Sequence, residues 1–125
     1  MMIVANLATY PPRAGTLPDA VARILPQVDK LNIVFNQHDA VPEAYLGNPR
    51  INAILPHEDT KDVGKFYPDV RDAEYVFYID DDVEYPGDFV ARTLASVRAL
   101  PETRILAGYH CSLYRKPRLA PSIKA

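Results

Sequence analysis

The sequence predicts an α/β fold with a mostly parallel sheet and flanking helices. Three observations predict it. Apolar segments of strand length alternate with segments of helical spacing along the 125 residues. The strand-like segments are continuous apolar runs, so both of their faces must be covered, as in parallel sheets. Twelve prolines fall between the segments and punctuate them.

The segments follow in order. Met2–Thr9 is a short apolar run ended by "YPPR", a strand and then a turn. In "GTLPDAVARILPQV", Leu17, Val21, Ile24, Leu25 and Val28 share one helical face, with Thr16 as N-cap and Pro26 closing the regular part. Lys30–Gln37 is the second strand, and "HDAVPEAYLGNPR" is a loop. Ile51–Pro56 is a short third strand. "HEDTKDVGKFYPDVRDA" is polar and mixes loop with a short helix near Gly64–Arg71. "EYVFYID" is a fourth strand, expected in the middle of the sheet. "YPGDFVARTLASVRAL" is a helix with Pro86 near its start. Arg104–Cys111 is a fifth strand, and a basic, proline-containing tail occupies 112–125 beside an α/β domain at 1–111.

Composition excludes several classes. The net charge of -2 gives no field for nucleic acid. The basic residues Arg104, Arg115, Lys116, Arg118 and Lys124 follow Thr103 with no acid among them, but that stretch is short and the remainder acidic. A single cysteine, Cys111, rules out an internal disulfide and a Cys-rich zinc site, and fits a reducing, cytoplasmic setting. No apolar run reaches transmembrane length, and the first residues do not form a signal peptide. The three histidines show no metal-ligand spacing and are expected to be structural or exposed.

The segment that calls for chemistry is "EYVFYIDDDVEYPGDF". Asp80, Asp81 and Asp82 follow a buried-looking strand directly. Three adjacent carboxylates repel one another, and burial raises that cost. Backbone amides, Lys or Arg side chains, or a divalent cation would compensate, the cation being the most economical. Alternate residues of an extended chain point the same way, so Asp80 and Asp82 are expected to share one site. Mg2+ or Mn2+ takes oxygen ligands, often one or two carboxylates together with substrate phosphates. A solvated turn is the plain alternative.

"YVFYIDDDVEYPGDFV" resembles the Asp-x-Asp region of the GT-A-fold glycosyltransferases, those of family 2 in particular. "ANLATYPPRAGTLPDAVARILPQVD" resembles their first strand, turn and helix, "LNIVFNQHD" their second strand, and "DVGKFYPDV" the segment before the motif. The likeness runs in order through nearly the whole chain to Tyr109. It implies the Rossmann-like nucleotide-binding half of a GT-A fold and a nucleotide-sugar donor, UDP-sugar above all. Asp82 would bind the metal, and Asp80 the ribose or the same metal. Asp81 would be the variable middle residue. Thr9, Tyr10 and Arg13 would lie near base and diphosphate, Asn36 or Asp39 near base or ribose, and Lys65 near the diphosphate or base. The resemblance implies glycosyl transfer with inversion.

Length departs from that pattern. About 43 residues follow Asp82, too few for the acceptor half and its catalytic base, so no catalytic residue is assigned. The chain therefore reads as a nucleotide-binding half, and a half-sheet with an open edge would favour self-association. The competing readings are a nucleotide- and metal-binding module without transfer, and a phosphoryl-transfer or receiver-type domain. The last needs an acid pair after the first strand, which "ANLATYPP" lacks.

Overall fold

A computed structural model describes residues 2–101, 112–113 and 123–124. The chain divides into two units, Met1–Ala91 and Arg92–Ala125. The boundary expected at Cys111, and the expected strand Arg104–Cys111, lie outside the described residues.

The first unit holds a four-stranded, all-parallel sheet in the order β3-β2-β1-β4. The strands are β1 (Ile3–Thr9), β2 (Lys30–Phe35), β3 (Ile51–Ile54) and β4 (Tyr75–Tyr78). This is the α/β, Rossmann-like class that the apolar runs predict. β1 and β2 are buried almost without interruption, and Leu7, Leu31, Ile33, Val34 and Phe35 form the centre of the core. Both strands therefore carry side chains that need cover on both faces.

Helix α1 (Leu17–Ile24) buries Leu17, Ala20, Val21 and Ile24, the i, i+3, i+4, i+7 stripe of an amphipathic helix. Pro18 stands in its first turn, where a missing N–H costs nothing. Pro26 then tightens the chain into a 3-10 turn over Leu25–Gln27. Arg50 closes that end by donating to the carbonyls of Leu25 and Val28. Thr16 holds the N-cap position, but its hydroxyl donates to the Arg13 carbonyl and no helix N–H bonds to it.

Helix α2 (Phe89–Arg98) begins three residues after Pro86. Gln27 serves its N-terminus: Oε1 accepts from Val90 N–H at 2.9 Å, while Nε2 donates to the Pro86 carbonyl at 2.8 Å. A side chain from a distant segment thus satisfies one of the orphan amides at the helix start. In the second unit α2 continues to Arg98, and β5 (Ser112–Leu113) pairs antiparallel with β6 (Ile123–Lys124).

Two features depart from expectation. β4 lies at an edge of the described sheet and not in its middle, with Phe77 buried and Tyr78 exposed. The short helix comes earlier than predicted, as a 3-10 helix over Lys61–Phe66. It reaches β1 because Gly64 has no side chain: a Cβ there would stand 3.1 Å from the Ala8 Cβ and 2.2 Å from Thr60 Oγ1. A further feature was not foreseen. The parallel register stacks Asn6, Asn32 and Asn52 side by side, and their amides hydrogen-bond across three strands at 2.8 and 3.0 Å. Each bond runs from one strand's Nδ2 to the next strand's Oδ1, which helps these polar residues to sit inside the sheet, while the Asn6 Nδ2 at the end of the row is buried without a partner among the described residues.

Candidate functional site

The strand order places the site. After β1 the chain moves outward to β2 and β3, then returns to the other side of β1 as β4. The order reverses between β1 and β4, and open α/β sheets bind ligands in the crevice beyond the carboxyl ends of such strands. A cavity of about 590 Å³ lies there. It is lined by Ala8, Thr9 and Tyr10 after β1 and by Asn36 and Gln37 after β2. Asp80, Asp81 and Asp82 line it after β4, and Arg13, Asp59 and Lys61 complete the wall. The volume falls within the range of roughly 300–1,000 Å³ typical of small-molecule sites.

Arg13 owes its place to the two prolines before it. Pro11 and Pro12 turn the chain into a single 3-10 turn, Pro11–Arg13, directly after β1. Its guanidinium then reaches Asp82 Oδ2 at 2.5 Å and Asp81 Oδ1 at 3.5 Å, and lies 6.0 Å from the Tyr10 ring centroid. Asp82, Tyr10 and Asp81 together hold Arg13 firmly protonated. On the other side Lys65 Nζ lies 3.1 Å from Asp80 Oδ1. The three carboxylates are therefore compensated by two basic side chains.

The pairing differs from the alternation read from the sequence. β4 ends at Tyr78, and Asp80–Asp82 turn away from the strand direction. Tyr85 shapes that turn: its hydroxyl accepts the Asp80 N–H at 2.9 Å, and its ring packs on Phe89. Asp81 is consequently the buried member and shares Arg13 with Asp82, while Asp80 pairs with Lys65.

Burial raises the Asp81 pKa above its ordinary 3.8; the Thr9 hydroxyl and Arg13 oppose the rise, and Asp82 adds to it. Thr9 is itself buried, and its Oγ1 faces Asp81 without completing a hydrogen bond of standard geometry. A carboxyl whose folded pKa is raised stabilises the fold when protonated. That contribution is full below the unfolded value and is lost as pH rises through the folded one. Asp81→Asn is therefore expected to raise stability at pH 7. Urea unfolding would show the gain disappearing as the pH falls below 3.8.

The opposite wall is held by Asn36. Its Oδ1 accepts from Thr60 N–H at 2.9 Å and from Thr60 Oγ1 at 2.7 Å, and its Nδ2 donates to the Lys61 carbonyl at 3.0 Å. The amide is 2% exposed and both of its ends are occupied. Asn36 thus positions the wall through the Thr60–Lys61 backbone. Gln37 and Lys61, at φ 57° and 53°, are non-glycine residues in the left-handed region, and both line the cavity. Gln37 Nε2 donates to Asp59 Oδ2 at 2.7 Å, and Lys61 N–H to Asp59 Oδ1 at 2.9 Å. Such strain persists only where surrounding bonds over-determine it, and it concentrates at functional sites.

Of the residues singled out from the sequence, Thr9, Tyr10, Arg13, Asn36 and Asp80–Asp82 line one cavity, and Lys65 bonds to its rim. Asp39 is exposed and does not line it. Gln37, Asp59 and Lys61 were missed. Asp59 and Lys61 lie in a polar run that reads as loop, and positive φ at Gln37 and Lys61 leaves no mark in residue type.

Among the described residues no group of three or more His, Cys, Asp or Glu side chains could hold a metal ion. Asp80 and Asp82 are about half exposed and offer oxygen donors only. That set is too small for an all-protein cage. It fits an Mg2+ or Mn2+ ion that takes its remaining ligands from a diphosphate and water. No helix among the described residues is long and apolar enough to cross a membrane. Comparison of the chain with protein-family models and with curated proteins finds no match.

Proposed function

We propose that the cavity binds a nucleoside-diphosphate sugar, a UDP-sugar above all, together with Mn2+ or Mg2+, and that the chain belongs to a glycosyl-transfer system. The observation that carries this reading is the meeting of Asp80–Asp82 with the Thr9–Arg13 turn at the point where the strand order reverses. A parallel-sheet crevice with oxygen donors on one side and cations beside them suits a metal-bound diphosphate.

In this reading Asp82 and Asp80 hold the cation. When bound, the cation supplies Lewis-acid neutralisation of the departing diphosphate. Arg13 and Lys65 offer phosphate-facing positive charge, Arg13 as a planar fork. Thr9 lines the cavity with its hydroxyl buried toward Asp81, and Asn36 keeps Gln37, Asp59 and Lys61 in the facing wall. Transfer proper is attack of an acceptor hydroxyl on the anomeric carbon with loss of the nucleoside diphosphate, the hydroxyl proton passing to a carboxylate.

One observation favours a second reading, a binding module without transfer. Every carboxylate lining the cavity already faces a partner: Asp59 with Gln37 and Lys61, Asp80 with Lys65, Asp81 and Asp82 with Arg13. None stands apart as a general base. Incubating the protein with manganese and a UDP-hexose, and measuring released UDP, separates the two. Release above the protein-free control supports transferase chemistry. Saturable UDP-hexose binding without release supports the module. Absence of both would reject the nucleotide-sugar reading.

A further inference from the structure

We infer that Arg13 is an exchangeable occupant of the site. It holds Asp81 and Asp82 in the free protein, and it moves to the diphosphate when a divalent cation takes its place on Asp82. This rests on the metal-diphosphate reading above and deepens it, because it assigns an order and an interdependence to binding.

Contact geometry is the first support. Arg13 Nη1 lies 2.5 Å from Asp82 Oδ2, on the oxygen that a cation would need. A metal ion at about 2.0–2.1 Å from that oxygen would compete with the guanidinium for its electron pairs and repel its like charge. A metal that ligates Asp82 through Oδ2 therefore displaces Arg13 from this contact. Charge is the second support. Asp81 has a side chain only 10% exposed, and Arg13 is the cation paired with it in the described structure. Arg13 leaving the cluster without replacement would strand a buried carboxylate, which is costly. A divalent cation beside Asp82 supplies the replacement.

Mobility is the third support. Pro11 and Pro12 fix the backbone of the turn, but the Arg13 side chain is 36% exposed and rests by Tyr10, itself 38% exposed. The exchange thus needs a change of side-chain rotamers and no movement of the sheet.

Each ligand alone meets an obstacle. A metal ion alone must displace Arg13 from Asp82, its shorter contact. A diphosphate alone meets Asp80, Asp81 and Asp82, whose paired cations Arg13 and Lys65 are already engaged. Together each removes the other's obstacle, so the two must bind with positive and reciprocal coupling.

The test uses the full chain with Mn2+ and UDP as probes. Free manganese is followed by electron paramagnetic resonance, and UDP binding by calorimetry. In the wild type, saturating UDP is expected to tighten Mn2+ at least about tenfold, with the same factor in the reverse direction. In Arg13→Gln, Mn2+ alone should bind about tenfold tighter than in the wild type, while UDP binding in saturating Mn2+ weakens and the coupling shrinks. Arg13→Lys should fall between, since lysine keeps the charge without the fork. It also keeps the test decisive if circular dichroism shows the Gln variant misfolded. Unchanged or weaker Mn2+ binding by these variants, with normal UDP binding by the wild type, overturns the exchange and leaves the site reading intact. Failure of the wild type to bind Mn2+ and UDP together overturns that reading and the exchange with it.

Discussion

Asn36→Ala is expected to lower stability by about 3 kcal/mol, although the residue sits at a cavity and not in the apolar core. Three hydrogen bonds end on this amide, two from Thr60 and one to the Lys61 carbonyl. Each contributes about 1 kcal/mol net, and partly buried partners left unserved add to the loss. The same bonds hold Lys61 in its left-handed conformation, so their removal also releases strain and the wall relaxes. Urea unfolding would give the stability change at constant m-value, and amide hydrogen exchange should quicken at Thr60 and Lys61. A loss below about 1 kcal/mol with unchanged exchange would mean that the wall is held by something else.

Gly64→Ala is expected to cost about 2 kcal/mol by overpacking. The new Cβ would stand 2.2 Å from Thr60 Oγ1 and 3.3 Å from Thr60 Cβ, so rotating the hydroxyl does not clear the space. Ala8 Cβ at 3.1 Å blocks the other direction. Relief requires the 3-10 helix to lift from β1 or Thr60 to abandon Asn36. The two substitutions therefore attack one bond. Their combined cost should fall short of the sum by about 1 kcal/mol, a coupling that a double-mutant cycle measures. Full additivity would show that Gly64 and Asn36 act independently.

The core elements of the fold were legible because they rest on local patterns. Ile3–Thr9, Lys30–Phe35, Ile51–Ile54 and Tyr75–Tyr78 are apolar runs, and α1 shows its buried stripe at helical spacing. The strand order is not local. Nothing in Tyr75–Tyr78 states that it pairs only with β1 among the described strands, and a run of four apolar or aromatic residues reads the same at an edge as in the middle. The asparagine ladder was hidden for a similar reason. Each asparagine alone counts against a strand, and only the register brings the three together.

The site was legible by half. Three consecutive carboxylates after an apolar run require compensation, and that requirement is visible in the sequence. The compensating groups are not: Arg13 lies 68 residues from Asp81 and meets it only because β1 and β4 are neighbours. Asn36 was singled out as a residue near a ligand. Its amide is spent on the Thr60–Lys61 wall, a role that depends on a loop returning to the end of β2. Asp80–Asp82 were treated as extended chain, and Tyr85 capping the Asp80 amide is what bends them out of that pattern.

The central claim is that the acidic turn after β4 forms, with the end of β1, a site for a metal-bound nucleoside diphosphate. Calorimetric titration of UDP into the wild type and Asp82→Ala, with and without manganese, tests it most directly. The account predicts manganese-dependent binding to the wild type that weakens at least about tenfold in Asp82→Ala, while circular dichroism shows the variant still folded. Binding of equal strength in both proteins, or none in a folded wild type, would contradict it and return the three aspartates to a solvated turn steadied by Arg13 and Lys65.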